Sequence, residues 1–153
     1  MFNHEIIHLQ VPGLDSQDQA LNYLSQKLIA KDIVKDTFAP AILEREGRFP
    51  TGLIINKVGI AIPHTDVDHV NEEQIAIMTL QEPVTFIQMA DASVEVPVQA
   101  IFMLALLQPE NQLDMLQKLM AFLQNDQALE EFVSLSQADQ AKAIQILKDN
   151  QII

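Results

Sequence analysis

The sequence predicts a layered α/β domain in which one sheet carries helices on both faces. Segments rich in β-branched and apolar residues fill the middle of the chain, and helical stripes of leucine and isoleucine lie before and after them. Several of the strand segments are apolar on both faces, a sign of two-sided burial that a one-faced antiparallel sheet does not produce. At 153 residues and 48% apolar content the chain fits one domain spanning 1–153. No repeat, low-complexity tract or Gly/Ser linker divides it, and the seven prolines fall between periodic segments.

The elements follow in order. Residues 5–11 alternate weakly and read as a short strand, closed by the turn Pro12-Gly13. Ser16 with Gln19 three residues on forms a capping box, and Ala20, Leu21, Leu24, Leu28 and Ile29 then make an apolar stripe at helical spacing. A second helix is expected from Thr37 as N-cap, with Pro40 in its first turn, where a missing N–H costs nothing, and Gly47 as its end. Strands are expected over 51–55, 58–62, 75–80, 84–86 and 94–107. The last third reads as helices over 109–123, 126–133 and 136–148, each with a candidate N-cap.

Composition narrows the chemistry. Nine Lys and Arg against 21 Asp and Glu leave a net charge of −12. Such a surface repels phosphate backbones and anionic headgroups, so no nucleic-acid partner is expected. The longest apolar run, 100–107, is far short of the ~20 residues of a membrane helix, and the N-terminus lacks a secretory pattern. A cytoplasmic protein without direct membrane insertion is the expectation. With no cysteine, thiolate nucleophiles, disulfides and Cys-based metal centres are absent. No Walker loop, dinucleotide fingerprint or G-x-S-x-G elbow occurs, and four glycines are too few to build one elsewhere.

Two windows carry chemistry. In Gly59-Ile60-Ala61-Ile62-Pro63-His64-Thr65-Asp66, proline forces Ile62 into an extended conformation and cannot donate to a ladder. His64 is therefore expected where a buried strand ends and opens to the surface, the place where α/β sheets bind ligands. The second window holds the two arginines of the chain, Arg45 and Arg48, three residues apart at the expected end of the second helix. Between Glu44 and Lys57 three bases face two acids, the one anion-friendly stretch of an acidic chain. A guanidinium fork suits a phosphoryl group and a neutral imidazole suits attack on phosphorus. Taken alone, the arginines equally fit pairing with Glu44, Glu46 or the helix C-terminal carbonyls, and His64 equally fits a hydrogen-bonded loop residue.

Arg45-Glu46 with Phe49-Pro50-Thr51-Gly52, followed by Ile60-Ala61-Ile62-Pro63-His64, resembles the phosphohistidine region of enzyme IIA of the phosphoenolpyruvate-dependent sugar phosphotransferase system (PTS), mannitol/fructose class, nearest its galactitol-type members. The similarity runs on through 86–91 and 98–107 to 112–119 and covers most of the chain. It implies a mixed β-sheet flanked by helices on both faces. It also implies a phosphoryl relay without cofactor or metal: His64 takes phosphate from the phosphocarrier protein HPr and passes it to a cysteine of enzyme IIB, while Arg45 neutralises charge on the group in flight. Gln112 stands where related members have a second histidine, and Thr65 where many have Gly, Ala or Cys after the active histidine. Thr65, Gln112 and His69 are the expected further residues beside the site. Apolar surface is expected to stay exposed around His64, because two proteins dock there in turn.

Two rival readings stand beside the relay. His64, Asp66 and Asp68 alternate and would share one side of an extended segment with His69 adjacent, a nitrogen and oxygen set suited to zinc or manganese in a metal-dependent hydrolase. Domains resembling enzyme IIA also serve in phosphorelay regulation, where the phosphohistidine is a signal. His4 and His8, on the expected first strand, are read as solvent-facing.

Overall fold

The computed structural model describes residues 4–153, so the sequence reading of the first three residues lies outside it. Six stretches of helix and strand precede the long central pair: β1 (Ile6–Val11), α1 (Gln17–Ala30), α2 (Phe38–Arg48), β2 (Gly52–Ile55), β3 (Val58–Ala61) and a 3-10 turn (Val67–His69). The pair β4 (Gln74–Ile87) and β5 (Glu95–Ala105) follows, then α3 (Pro109–Leu123), α4 (Asp126–Ser134), a 3-10 turn (Gln137–Asp139) and α5 (Gln140–Asp149). The five strands form one sheet in the order β1-β4-β5-β3-β2. It is mixed: β1 runs parallel to β4 and β3 to β5, while β4–β5 and β2–β3 are antiparallel.

The two-sided strand pattern resolves into two cores. Alternate residues of β4, Ala76, Met78 and Leu80, face Leu21, Leu24, Leu28, Phe38 and Ile42 of α1 and α2. Ile75 and Ile77 face the opposite way, onto Met115, Leu119, Phe122, Leu129 and Phe132 of α3 and α4. On that side Phe102, Phe122 and Phe132 pack ring to ring at centroid distances of 5.9–6.2 Å. A sheet buried on both faces by helices is what the hydrophobic pattern requires.

Besides shifts of one or two residues at other element ends, four points differ from the sequence expectation, each for a local reason. β4 is one strand, not two: between the pairs Thr79–Ala100 and Val84–Val98 it advances five residues while β5 advances two. The surplus, exposed Gln81, Glu82 and Pro83, bulges out of the ladder, which is where a proline without an N–H is tolerated. α2 runs through Gly47 to Arg48, because its last turn closes by the Phe49 N–H bonding the Arg45 carbonyl at 2.7 Å. Thr37 precedes α2 without a side-chain cap, since its hydroxyl is hydrogen-bonded to His69 Nδ1 at 2.8 Å. Ser136 caps the 3-10 turn that leads into α5, which itself begins at Gln140.

At α1, Ser16 accepts from the Gln19 N–H as expected, but Gln19 reaches back to the Asp15 N–H at 2.8 Å, one residue before the cap. His4 lies outside β1 and meets Glu72 at 2.9 Å, and His8 lies 3.5 Å from the Tyr23 hydroxyl. Both are partly covered rather than solvent-facing.

The β2–β3 hairpin turns at Asn56 and Lys57, both at positive φ (51° and 70°), the conformation that matches strand twist in a two-residue turn. Gly59 in β3 is required by contact, because a Cβ there would lie 2.0 Å from the Pro97 carbonyl oxygen of β5. Gly59→Ala is expected to destabilise the fold by ~1–3 kcal/mol, since two paired strands must part to admit the methyl group. Urea unfolding measures it, and an unchanged midpoint would show that the strands part freely.

Candidate active site

The chain leaves β3 at Ala61 and keeps running beside β5. Pro63 cannot donate to the ladder, but its carbonyl accepts the Leu104 N–H at 2.9 Å, and His64 makes a parallel bridge with Leu104. His64 thus stands, half-buried, just past the C-terminal end of the parallel pair β3–β5. Its Nδ1 lies 2.9 Å from the Ile62 carbonyl oxygen. A carbonyl can only accept, so Nδ1 carries the proton and, in the neutral ring, Nε2 carries the lone pair. Nε2 has no hydrogen-bond partner among the described residues.

The end of α2 faces this imidazole. Arg45 and His64 line the same two grooves. One, of about 420 Å³, is walled by Arg48, Phe49, Thr51 and Met89; the other, of about 350 Å³, by Thr65, Asp66, Asp68 and Gln112. Arg45 has no carboxylate partner among the described residues. Glu44 is held by Arg48 at 3.2 Å and Glu46 points into the protein. What holds Arg45 is the exposed Phe49 ring, 4.5 Å from its guanidinium carbon, with Arg48 at 5.3 Å from the same ring. The fork's donors are therefore not taken up by a carboxylate among the described residues.

Glu46 is the residue of this region whose setting the sequence analysis did not identify. Its side chain is buried, 2% exposed, and accepts two hydrogen bonds from Thr51: the backbone N–H at 2.6 Å and the hydroxyl at 2.8 Å. The Thr51 hydroxyl oxygen in turn accepts the Ile62 N–H at 3.1 Å. The available signal was position: Glu46 lies four residues after buried Ile42, on the inward face of α2. Phe49, too, was visible only as part of a motif. Gly52 completes this corner, because a Cβ there would lie 2.5 Å from the Ile87 carbonyl oxygen, and its own carbonyl accepts the Met89 N–H at 2.8 Å.

The remaining candidates divide. Thr65 is nearly buried and lines the smaller groove with Gln112, which α3 brings in from its first turns. His69 does not reach His64: its Nδ1 bonds Thr37, and it borders a separate polar recess with Arg45, Arg48 and Thr65. The metal reading fails on geometry. After Asp66 the backbone coils into the 3-10 turn, which ends the alternation that would align His64, Asp66 and Asp68. Among the described residues no three His, Asp or Glu side chains converge on one point. The expected apolar rim is present, with Phe49 and Met89 exposed along the larger groove and Leu113 exposed beside Gln112.

A family model described as the phosphoenolpyruvate-dependent sugar phosphotransferase system, EIIA 2, matches residues 1–150. The chain belongs to this family. As an enzyme IIA it is a component of the phosphotransferase system. It is 31% identical over 119 residues to the galactitol-specific EIIA component of Escherichia coli strain K12, covering 78% of the chain and 79% of that protein. Its fold is similar to the crystal structure of the mannitol IIA of Escherichia coli, with a TM-score of 0.73 at 21% identity over 92% of this chain and 94% of that one. It is also similar to the IIA of the Escherichia coli mannitol IIA complex with phosphorylated IIB, with a TM-score of 0.76 at 19% identity over 97% and 99% of the two chains. The mixed sheet flanked by helices is the fold of this enzyme IIA class.

Burial pushes the Glu46 carboxyl of this enzyme IIA above the ordinary glutamate range, and the two Thr51 hydrogen bonds offset that only in part. At pH values between the ordinary and the raised value, the folded chain is therefore more fully protonated at Glu46 than the unfolded chain. Stability from this group is complete below the ordinary value of 4.5 and is lost as pH rises through the raised folded value. As pH rises from about 4 through the raised value, the unfolding free energy of the native protein minus that of Glu46→Gln is expected to fall. Denaturant titrations at a series of pH values measure that difference, and a flat or rising curve contradicts the assignment.

Proposed function

We propose that this enzyme IIA is a cytoplasmic phosphoryl carrier in which His64 accepts phosphate from phosphorylated HPr and passes it to a cysteine of an enzyme IIB. The observation that carries this reading is the Nδ1–H bond of His64 to the Ile62 carbonyl, which leaves the Nε2 lone pair in the groove that Arg45 also lines. No proton has to leave the ring for attack. Nε2 forms a new N–P bond as the N–P bond to the donor histidine breaks, and the donor imidazole keeps the electron pair. The Arg45 fork balances charge on the phosphoryl oxygens during in-line transfer. Thr65 and Gln112 flank the group in the smaller groove, with the Gln112 amide as an uncharged donor.

The second transfer runs the same geometry in reverse, with a thiolate attacking phosphorus and the imidazole leaving as the neutral Nδ1–H tautomer it began as. The complex of a mannitol IIA with phosphorylated IIB supports a IIB as the acceptor. Exposed Phe49, Met89 and Leu113 give a small apolar rim suited to partners that bind in turn. No helix among the described residues is long and apolar enough to cross a membrane, consistent with a carrier that visits a membrane component from the cytoplasm. The galactitol-specific relative makes a sugar alcohol such as galactitol the favoured cargo of the transport chain it serves.

Incubation with phosphoenolpyruvate, enzyme I and HPr is expected to place one acid-labile, base-stable phosphoryl group on the native protein and none on His64→Ala at unchanged fold. Label retained by that variant, mapped by mass spectrometry to another residue, overturns the assignment. Arg45→Ala is expected to slow transfer from phosphorylated HPr by roughly tenfold to a thousandfold. Rapid-quench rates test this, and an unaltered rate would assign Arg45 to packing on Phe49 alone.

A further inference from the structure

We infer that Glu46, acting through Thr51, is a positioning residue that sets the tautomer and place of the His64 ring. The inference rests on the reading of His64 as phosphoryl acceptor. With Glu46 ionised, the direction of every hydrogen bond in the chain is forced. Both Glu46 oxygens are occupied by Thr51, Oε2 by its N–H at 2.6 Å and Oε1 by its hydroxyl at 2.8 Å. Having one proton, the hydroxyl is a donor to Glu46 and leaves only lone pairs for its other neighbour. The Ile62 N–H fills that place at 3.1 Å. The same residue's carbonyl then takes the His64 Nδ1–H at 2.9 Å.

Ile62 is thus held at its N–H by the Glu46–Thr51 pair, and Pro63 is held from the opposite strand by the Leu104 N–H at 2.9 Å. The two anchors hold the peptide groups on either side of the Ile62 carbonyl that meets the ring. Glu46 is also next to Arg45 on α2, so one carboxylate references both the nucleophile and its guanidinium to the same corner of the fold. A buried carboxylate is a poor way to gain stability, since well-packed apolar replacements of buried charges are often neutral or better. A role in orienting the site accounts for its presence at 2% exposure.

Thr51→Val keeps the shape of the side chain and deletes the hydroxyl. With phosphorylated HPr as donor, it is expected to lower kcat by about tenfold to a hundredfold while KM for HPr stays within about twofold. In the unphosphorylated protein, nitrogen-15 NMR of the ring should show His64 wholly as the Nδ1–H tautomer in the native chain and mixed with the Nε2–H tautomer in Thr51→Val. Thr51→Ser, which restores the hydroxyl, should recover both. Glu46→Gln offers one acceptor oxygen instead of two and serves as the second variant, with the same direction of change. Native kcat and an unmixed tautomer in folded Thr51→Val or Glu46→Gln would overturn the proposal. The tautomer is read without any phosphoryl donor, so phosphate found on a residue other than His64 would sink the acceptor reading while leaving the NMR result to judge the positioning of the ring.

Discussion

Pro63 is the constraint from which the site follows. A residue with a free N–H there would extend the ladder and carry the chain on as ordinary strand; proline supplies only its carbonyl, to Leu104. The chain therefore stays in register with β5 for one more step and is then released, with His64 as the first side chain past the sheet. Everything else in the site is brought to that point: α2 from one side with Arg45, α3 from another with Gln112, and the β4–β5 connection with Met89.

Much of this was legible in the residues. Apolar strands with helices before and after them predicted a sheet covered twice, and the two clusters on either face of β4 are that prediction in detail. Proline before histidine predicted a strand end, and Arg45 stood out as one of two arginines in an acidic chain. Whether Arg45 was spoken for by a neighbouring acid was not legible, since Glu44 and Glu46 are adjacent to it in sequence and only the helix phase separates them. One faces outward to Arg48 and the other inward to Thr51.

The parts that could not be read depend on contacts between distant segments. Gln81-Glu82-Pro83 has the composition of a turn, and only the pairing of β4 with β5 on both sides of it makes the stretch a bulge. Thr37 has the right identity for an N-cap, but a histidine 32 residues away claims its hydroxyl. The alternation of His64, Asp66 and Asp68 with His69 adjacent suits a metal only if the backbone is extended, and the 3-10 turn removes that condition. The Glu46–Thr51–Ile62 chain crosses from a helix end to the residue before β2 and the residue after β3, and has no local sequence signature at all.

The seating of Arg45 on the Phe49 ring bears on how the protein can be loaded and emptied repeatedly. A guanidinium clasped by a carboxylate would have to exchange that ion for phosphate at every loading and recover it at every discharge, with solvent rearranging each time. A benzene face attracts the cation without occupying its hydrogen-bond donors. On the proposed reading, arrival and departure of the phosphoryl group leave the cation's anchorage on Phe49 in place, so no ion pair has to be broken and remade in each cycle.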